Sequence, residues 1–210
     1  QWAETLAQLR QVRAAGVSDL VCSNLGQIPI VHRLNMALHG DFGLNIMNSQ
    51  SVRELSRIGL SSCTLSFEMN LAQIRDMSLG MDCQLLAYGR LPLMITENCL
   101  VQNETGCPLS QQGSSVPRHA PCHRPNYLQD RTGAKFPLLP AYGHRTEIQN
   151  SAPVWLADKP EWRQLGLTRA RLRFTTETPE QCAAVLRRYK DGGDWTPDDM
   201  TRGLFYRGVE

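Results

Sequence analysis

Apolar positions along the first half of the chain recur with two alternating periods. Leu6, Leu9 and Val12 stand three apart and predict an amphipathic helix over 2–15, stopped by Gly16. A short apolar run predicts a strand over 18–22. The stretch 28–36 reads as a helix with Pro29 tolerated in its first turn. Residues 44–47 read as a strand. Asn48-Ser49 then caps a helix through Val52, Leu55 and Ile58 that ends at Gly59. A strand over 63–67, a helix opened by Asn70 through Leu71, Ile74 and Met77, and a strand over 83–87 complete the series. Strand followed by helix, repeating at intervals of about 20 residues, argues for βα units, because parallel strands need a crossover between them.

The expected fold is therefore α/β: a partial or TIM-barrel-like repeat of about five βα units, carrying a Cys-rich loop insertion. The rhythm breaks at Asn98, where Gly, Pro, Ser and Cys take over as far as His144. Within that stretch, 127–139 predicts a hairpin turning at Arg131-Thr132-Gly133. Alternation then resumes, with a helix over 151–165, a strand over 169–174, a helix over 179–189 and a polar tail over 190–210. This divides the chain into a βα-repeat part (1–97), a Cys-rich metal-binding loop and hairpin (98–149), and a closing βα part with its tail (150–210).

Composition changes this picture little. The 210 residues are 41% hydrophobic and 20% charged, ordinary for a globular chain with a sizeable core. The net charge of +2 singles out neither nucleic acid nor membrane as a partner, although a basic patch for RNA can hide in a neutral total. No apolar run approaches the roughly 18 residues of a membrane helix. The start, Gln1-Trp2-Ala3-Glu4, lacks both a Met and an apolar leader, and reads as part of a longer protein whose N-terminal part is missing. Seven cysteines, an odd number, fit a disulfide framework poorly and a reducing cytoplasm well.

Cys22, Cys63 and Cys83 fall in apolar strands, where small buried thiols are common. Cys99, Cys107 and Cys122 differ: they lie in loop sequence with spacing C-x7-C-x14-C, and His144 follows. Three thiols and an imidazole make a tetrahedral donor set, and thiolates suit zinc or an iron–sulfur cluster. His123 competes with His144 for the fourth place. The plainer alternatives are three loop thiols, or a Cys99–Cys107 disulfide in an exported protein. Elsewhere, His39 and Asp41 flank Gly40 and suggest a proton-relay pair, against the alternative of a polar turn. Glu68 and Arg90 each follow a strand, where barrel active sites lie; helix-end and ion-pair roles are the alternatives. No G-x-S-x-G, H-E-x-x-H or G-x-x-x-x-G-K-[ST] motif occurs, which removes the usual serine hydrolases, zincins and P-loop enzymes.

Taken together, several motifs resemble the collagenase-like peptidase family of unassigned catalytic type, in the C-terminal part of its domain. Gly89-Arg90-Leu91-Pro92 and Cys99 resemble its G-x-x-C-x4-G-x-C signature, with Pro92 in place of the first cysteine. Pro121-Cys122-His123-Arg124-Pro125-Asn126-Tyr127 resembles its later P-C-R-x-x-Y element with a one-residue shift. Further landmarks similar to a bacterial branch are Leu38-His39-Gly40-Asp41-Phe42-Gly43, Leu65-Ser66-Phe67-Glu68, Asp130-Arg131-x-Gly133, Glu147-Ile148 and Thr201-Arg202-Gly203-Leu204-Phe205-Tyr206. That branch often has a Cys just before its Arg-x-Glu-Ile run, where this chain has His144. The resemblance implies a peptidase label, with a peptide as substrate. It also implies kinship with iron–sulfur proteins that hydroxylate nucleobases in RNA or support ubiquinone hydroxylation, whose cysteines hold a four-iron four-sulfur cluster. Three function classes follow: hydrolase, iron–sulfur-dependent hydroxylation enzyme, and non-catalytic metal-stapled module.

Overall fold

The computed structural model describes residues 2–106 and 121–207. The chain divides into two compact units. The first comprises Gln1–Ala87, Asp158–Leu172 and Arg202–Glu210; the second comprises Tyr88–Ala157 and Arg173–Thr201. The first boundary lies inside a strand, ahead of the loop boundary expected at Asn98, and two C-terminal segments return to the first unit.

In the first unit, strands β1 (Asp19–Cys22), β2 (Ala37–Gly40), β3 (Ser62–Thr64) and β4 (Asp82–Gly89) lie side by side in that order, and β10 (Arg169–Leu172) follows β4. β1 to β4 pair in parallel. Helices α2 (Ile28–His32), α3 (Ser49–Arg57) and α4 (Leu71–Arg75) form the crossovers, so the expected βα units are present as a parallel sheet. Local chemistry starts each crossover. The Asn48 side chain accepts from Ser51 N at the head of α3, and Asn70 with Gln73 closes a capping box on α4. Val52, Leu55 and Ile74 on these helices are buried, each contributing roughly 1.5–3 kcal/mol.

In the first unit two elements differ from the sequence-based expectation. The strand expected over 44–47 is instead Ala37–Gly40, and Ile46 makes only a single bridge to Leu65. The apolar signal lay in Leu44 and Ile46, whereas β2 alternates Leu38 with His39 and looked polar. The helix expected over 28–36 also ends early, at His32. Helix α1 (Trp2–Ala14) forms as expected, yet buries none of its residues.

Register fixes the two faces of the parallel sheet. Leu20 stands beside Leu38, and Cys22, Gly40, Cys63 and Cys83 run in one row. On the opposite face Val21, His39, Ser62 and Asp82 form a row, with Thr64 and Gln84 one step further along. A parallel sheet usually carries aliphatic side chains on both faces. Here the second face is polar, and Val21 at its edge is 61% exposed.

The second unit contains an antiparallel sheet in the order β5 (Pro92–Thr96), β8 (Arg145–Gln149), β7 (Lys135–Ala141) and β6 (Asn126–Gln129). The hairpin expected over 127–139 is β6–β7, turned by Asp130, whose Oδ1 accepts from the backbone N–H groups of Thr132 and Ala134. Helix α5 (Leu100–Thr105) follows β5. The helix expected over 151–165 is absent. Residues Val154–Trp155 form β9, which pairs with Tyr88 and Gly89, and residues 161–164 make a single 3-10 turn. Pro153 and Pro160 remove backbone donors that a helix there would need. Helix α6 (Pro179–Asp191) is capped by Thr178 with Gln181 and ends in a left-handed Gly192. Trp155 is fully buried, edge-on to Tyr88, Tyr189 and Trp195. At Gly89 (φ 129°) a Cβ would lie 2.4 Å from the Arg173 carbonyl oxygen, so only glycine fits. Among the described residues no helix is long and apolar enough to cross a membrane.

Candidate active site

The polar face of the parallel sheet carries two linked rows. In the first, His39 on β2 bridges its neighbours: Nε2 lies 2.9 Å from Asp19 Oδ1 and Nδ1 lies 2.7 Å from Ser62 Oγ. A carboxylate can only accept, so Nε2 carries the proton toward Asp19. In the neutral ring this leaves Nδ1 to accept from the Ser62 hydroxyl. The Asp19 carboxyl is held below the ordinary carboxylate range, first by the Ser18 hydroxyl and then by His39. Ser62 itself is buried.

The second row lies at the carboxyl ends of β2 and β3, level with Gln84 of β4. Asp41 follows β2 and accepts from Phe42 N at 2.7 Å and from Ser23 Oγ at 3.1 Å. Arg171 Nη1, from β10, forms an ion pair with Asp41 and donates to Thr64 Oγ1 at 3.3 Å. Gln84 Nε2 donates to the same Thr64 oxygen at 2.8 Å. The Arg171 guanidinium stands 5.6 Å from the Phe42 ring centroid, and Phe42 leans on Phe67. Among the described residues only Nη1 of Arg171 has partners, which leaves Nη2 and Nε as donors. Such a fork suits a carbonyl, carboxylate or phosphate oxygen. The carboxyl ends of parallel strands are also where α/β folds place ligands.

The four residues expected to be catalytic therefore separate into different roles. His39 and Asp41 share a face, but His39 takes Asp19 as its carboxylate and Asp41 takes Arg171. Glu68 follows β3; its backbone N donates to Ser66 Oγ at 3.3 Å and its side chain is exposed. Arg90, in the second unit, is committed to the carbonyls of Asn150 and Ser151. Asp19, Ser62, Thr64, Gln84 and Arg171 were not singled out from sequence. One signal was available: Arg169, Arg171 and Arg173 alternate along the β10 segment, and guanidinium groups on one side of a half-buried strand draw acidic or carbonyl partners.

The expected metal ligands lie in the second unit, except Cys107, which falls outside the described residues. Cys99 is the N-cap of α5, and the next residue donates from Leu100 N to Thr146 Oγ1 at 3.0 Å. Cys122 sits in a 3-10 turn ahead of β6. Both thiols pack against Val101, Leu138 and Ile148. His144, with φ 58°, turns β7 into β8 two residues before Thr146. These elements meet at one end of the antiparallel sheet, but no three His, Cys, Asp or Glu side chains among the described residues are grouped to hold a metal ion. In the first unit Cys63 and Cys83 lie side by side, 3.5 Å apart at sulfur and fully buried.

Comparison with known proteins adds one finding. The family model described as peptidase family U32 matches residues 1–127 of the chain. The landmarks at Asp130, Glu147 and Thr201 lie beyond that match. No curated protein and no solved structure matches the chain.

Proposed function

Because the chain belongs to peptidase family U32, we propose that it is a hydrolase of peptide bonds whose reacting groups occupy the polar face of the parallel sheet. The observation that supports this reading is the Asp19–His39–Ser62 chain beside the Arg171–Asp41 pair. In this scheme Asp19 orients the imidazole, and His39 accepts a proton through the Ser62 hydroxyl from an attacking water. Ser62 is too buried to attack a peptide itself. Arg171, held by Asp41, presents its remaining donors to the oxygen on which charge develops. The C–N bond then breaks, and the proton on His39 passes to the leaving amine. A TIM-like barrel acting in the cytoplasm would take this parallel sheet as an arc of its wall.

The test is cleavage of gelatin-derived peptides by the chain and by His39→Ala, Asp19→Asn and Arg171→Met. Loss of proton transfer lowers kcat by roughly 10²–10⁴ in the first two. Equal rates in wild type and His39→Ala, or no cleavage by the wild type, would refute the assignment.

A second reading rests on the sequence pattern of Cys99, Cys107, Cys122 and His144, three thiols and an imidazole of the kind that suits a soft metal. Among the described residues Cys99, Cys122 and His144 lie toward one sheet end without forming a grouped donor set. A four-iron four-sulfur cluster bound there would supply electron transfer for hydroxylation of RNA or a quinone, whereas zinc would act as a structural staple. Metal analysis of anaerobically purified wild type and of a Cys99→Ser/Cys122→Ser double variant separates these cases. Several irons per chain, with absorption near ~400 nm, support the cluster. About one zinc without turnover supports a stapled module. No metal in either protein sinks the ligand assignment.

A further inference from the structure

The second unit holds a cleft of about 380 Å³ that neither the hydrolase scheme nor the metal reading uses. Its size lies within the ordinary range of small-ligand sites. Tyr88 and Glu177 belong to its lining, together with Tyr127, Trp195, Asp198 and Asp199. Arg90 is the positive charge in that lining, and it is already turned to two backbone carbonyls.

The Glu177 carboxylate is held on both oxygens. Oε1 accepts from the Tyr88 hydroxyl at 3.0 Å, and Oε2 accepts from the backbone N–H groups of Thr175 at 2.6 Å and Thr176 at 3.0 Å. Tyr88 is buried and wedged between Trp155 and Phe174, so the acceptor is anchored to a rigid aromatic stack. Tyr127 is 47% exposed and Trp195 half-buried, which leaves aromatic surface open to a ligand. Asp198 and Asp199 are exposed. An open cleft with aromatic walls, a pre-positioned carboxylate and two further acids is complementary to a cation. Aromatic faces attract cations, and carboxylates pair with their N–H donors. Glu177, Asp198 and Asp199 stand against Arg90 alone, so the charge of the lining favours a cation over an anion.

We propose that this cleft binds an organic cation, the guanidinium or ammonium head of a basic peptide side chain or of a polyamine. The assignment does not depend on peptide hydrolysis, and its test measures binding alone. Calorimetric titration of the whole chain uses N-acetyl-arginine methylamide, the isosteric uncharged citrulline amide, and spermidine. Saturable binding of the arginine amide, at least about tenfold tighter than the citrulline amide, assigns a basic side chain. Saturable binding of spermidine alone assigns a polyamine. Either supports the proposal if Asp198→Asn/Asp199→Asn and Trp195→Leu each weaken binding about tenfold while their thermal melts stay within a few degrees of wild type. Trp195→Leu also removes a contact with Trp155, so the exposed double Asp variant decides if Trp195→Leu melts early. No saturable heat with either cation, equal affinity for the citrulline amide, or undiminished binding by the double Asp variant overturns it.

Discussion

Replacing Arg171 with Met removes the guanidinium and keeps much of its aliphatic bulk. The side chains of Arg171 and Asp41 are 26% and 13% exposed, so the pair is mostly withdrawn from water. In the variant, Asp41 keeps its bonds from Phe42 N and Ser23 Oγ but loses its counter-charge. Thr64 still accepts from Gln84. Breaking a fully buried pair by deleting one partner costs about 3–5 kcal/mol, because the other charge stays buried alone. Water reaching the quarter-exposed site and the two remaining donors reduce this to about 2–3 kcal/mol. Asp41→Asn strands the more exposed partner, so its cost is smaller, about 1–2 kcal/mol. In the double variant no unpaired charge is left, and its cost falls short of the sum by about 1–2 kcal/mol. Urea unfolding of the four proteins, with m held constant, gives the cycle directly. Arg171→Met within about 0.5 kcal/mol of wild type, or strict additivity, would refute the claim that this pair is coupled and desolvated.

Other outcomes follow from single features. Asn48→Ala removes the acceptor for Ser51 N and lowers unfolding free energy by about 1 kcal/mol, measured in urea. Gly89→Ala drives a Cβ against the Arg173 carbonyl at a positive φ, costs about 3 kcal/mol, and lowers the melting temperature accordingly. The Asp158 carboxyl lies below its ordinary value of 3.8 because the Arg202 guanidinium hydrogen-bonds to it. A depressed folded value stabilises above 3.8, and the contribution is lost as pH falls through the folded value. Acid titration of stability below about pH 4 is therefore shallower in Asp158→Asn than in wild type.

The helices and most strands of the first unit were legible because one face of each is apolar. The Asn48 and Asn70 caps mark their helices in the bare sequence, and 18–22 and 83–87 read as strands from their aliphatic content. Strand β2 was not legible, because His39 faces a polar row that only the register creates. The stretch 151–165 misled for a related reason: Val154, Trp155 and Leu156 are buried by pairing and stacking, and their apolar run has no period of its own. At the candidate site, the residues were visible but their partners were not. His39 and Asp41 stand two apart in sequence, and proximity suggested a pair. The sheet instead brings to His39 residues 20 and 23 positions away, and to Asp41 one 130 away. Spacing along the chain carries no information about such crossings.

The polar rows also guard the alignment of the strands. Parallel strands sharing two aliphatic faces can slide past one another by one residue with little loss, since every position accepts every neighbour. Here a one-residue slip of β2 would carry His39 into the row of Cys22 and Cys63, away from both Asp19 and Ser62. It would also set Leu38 between Val21 and Ser62. The mis-threaded sheet would bury an imidazole without partners and leave the buried Ser62 hydroxyl unpaired. His39 thus acts as a key that admits one threading of the first three strands, whatever chemistry it performs once they are in place.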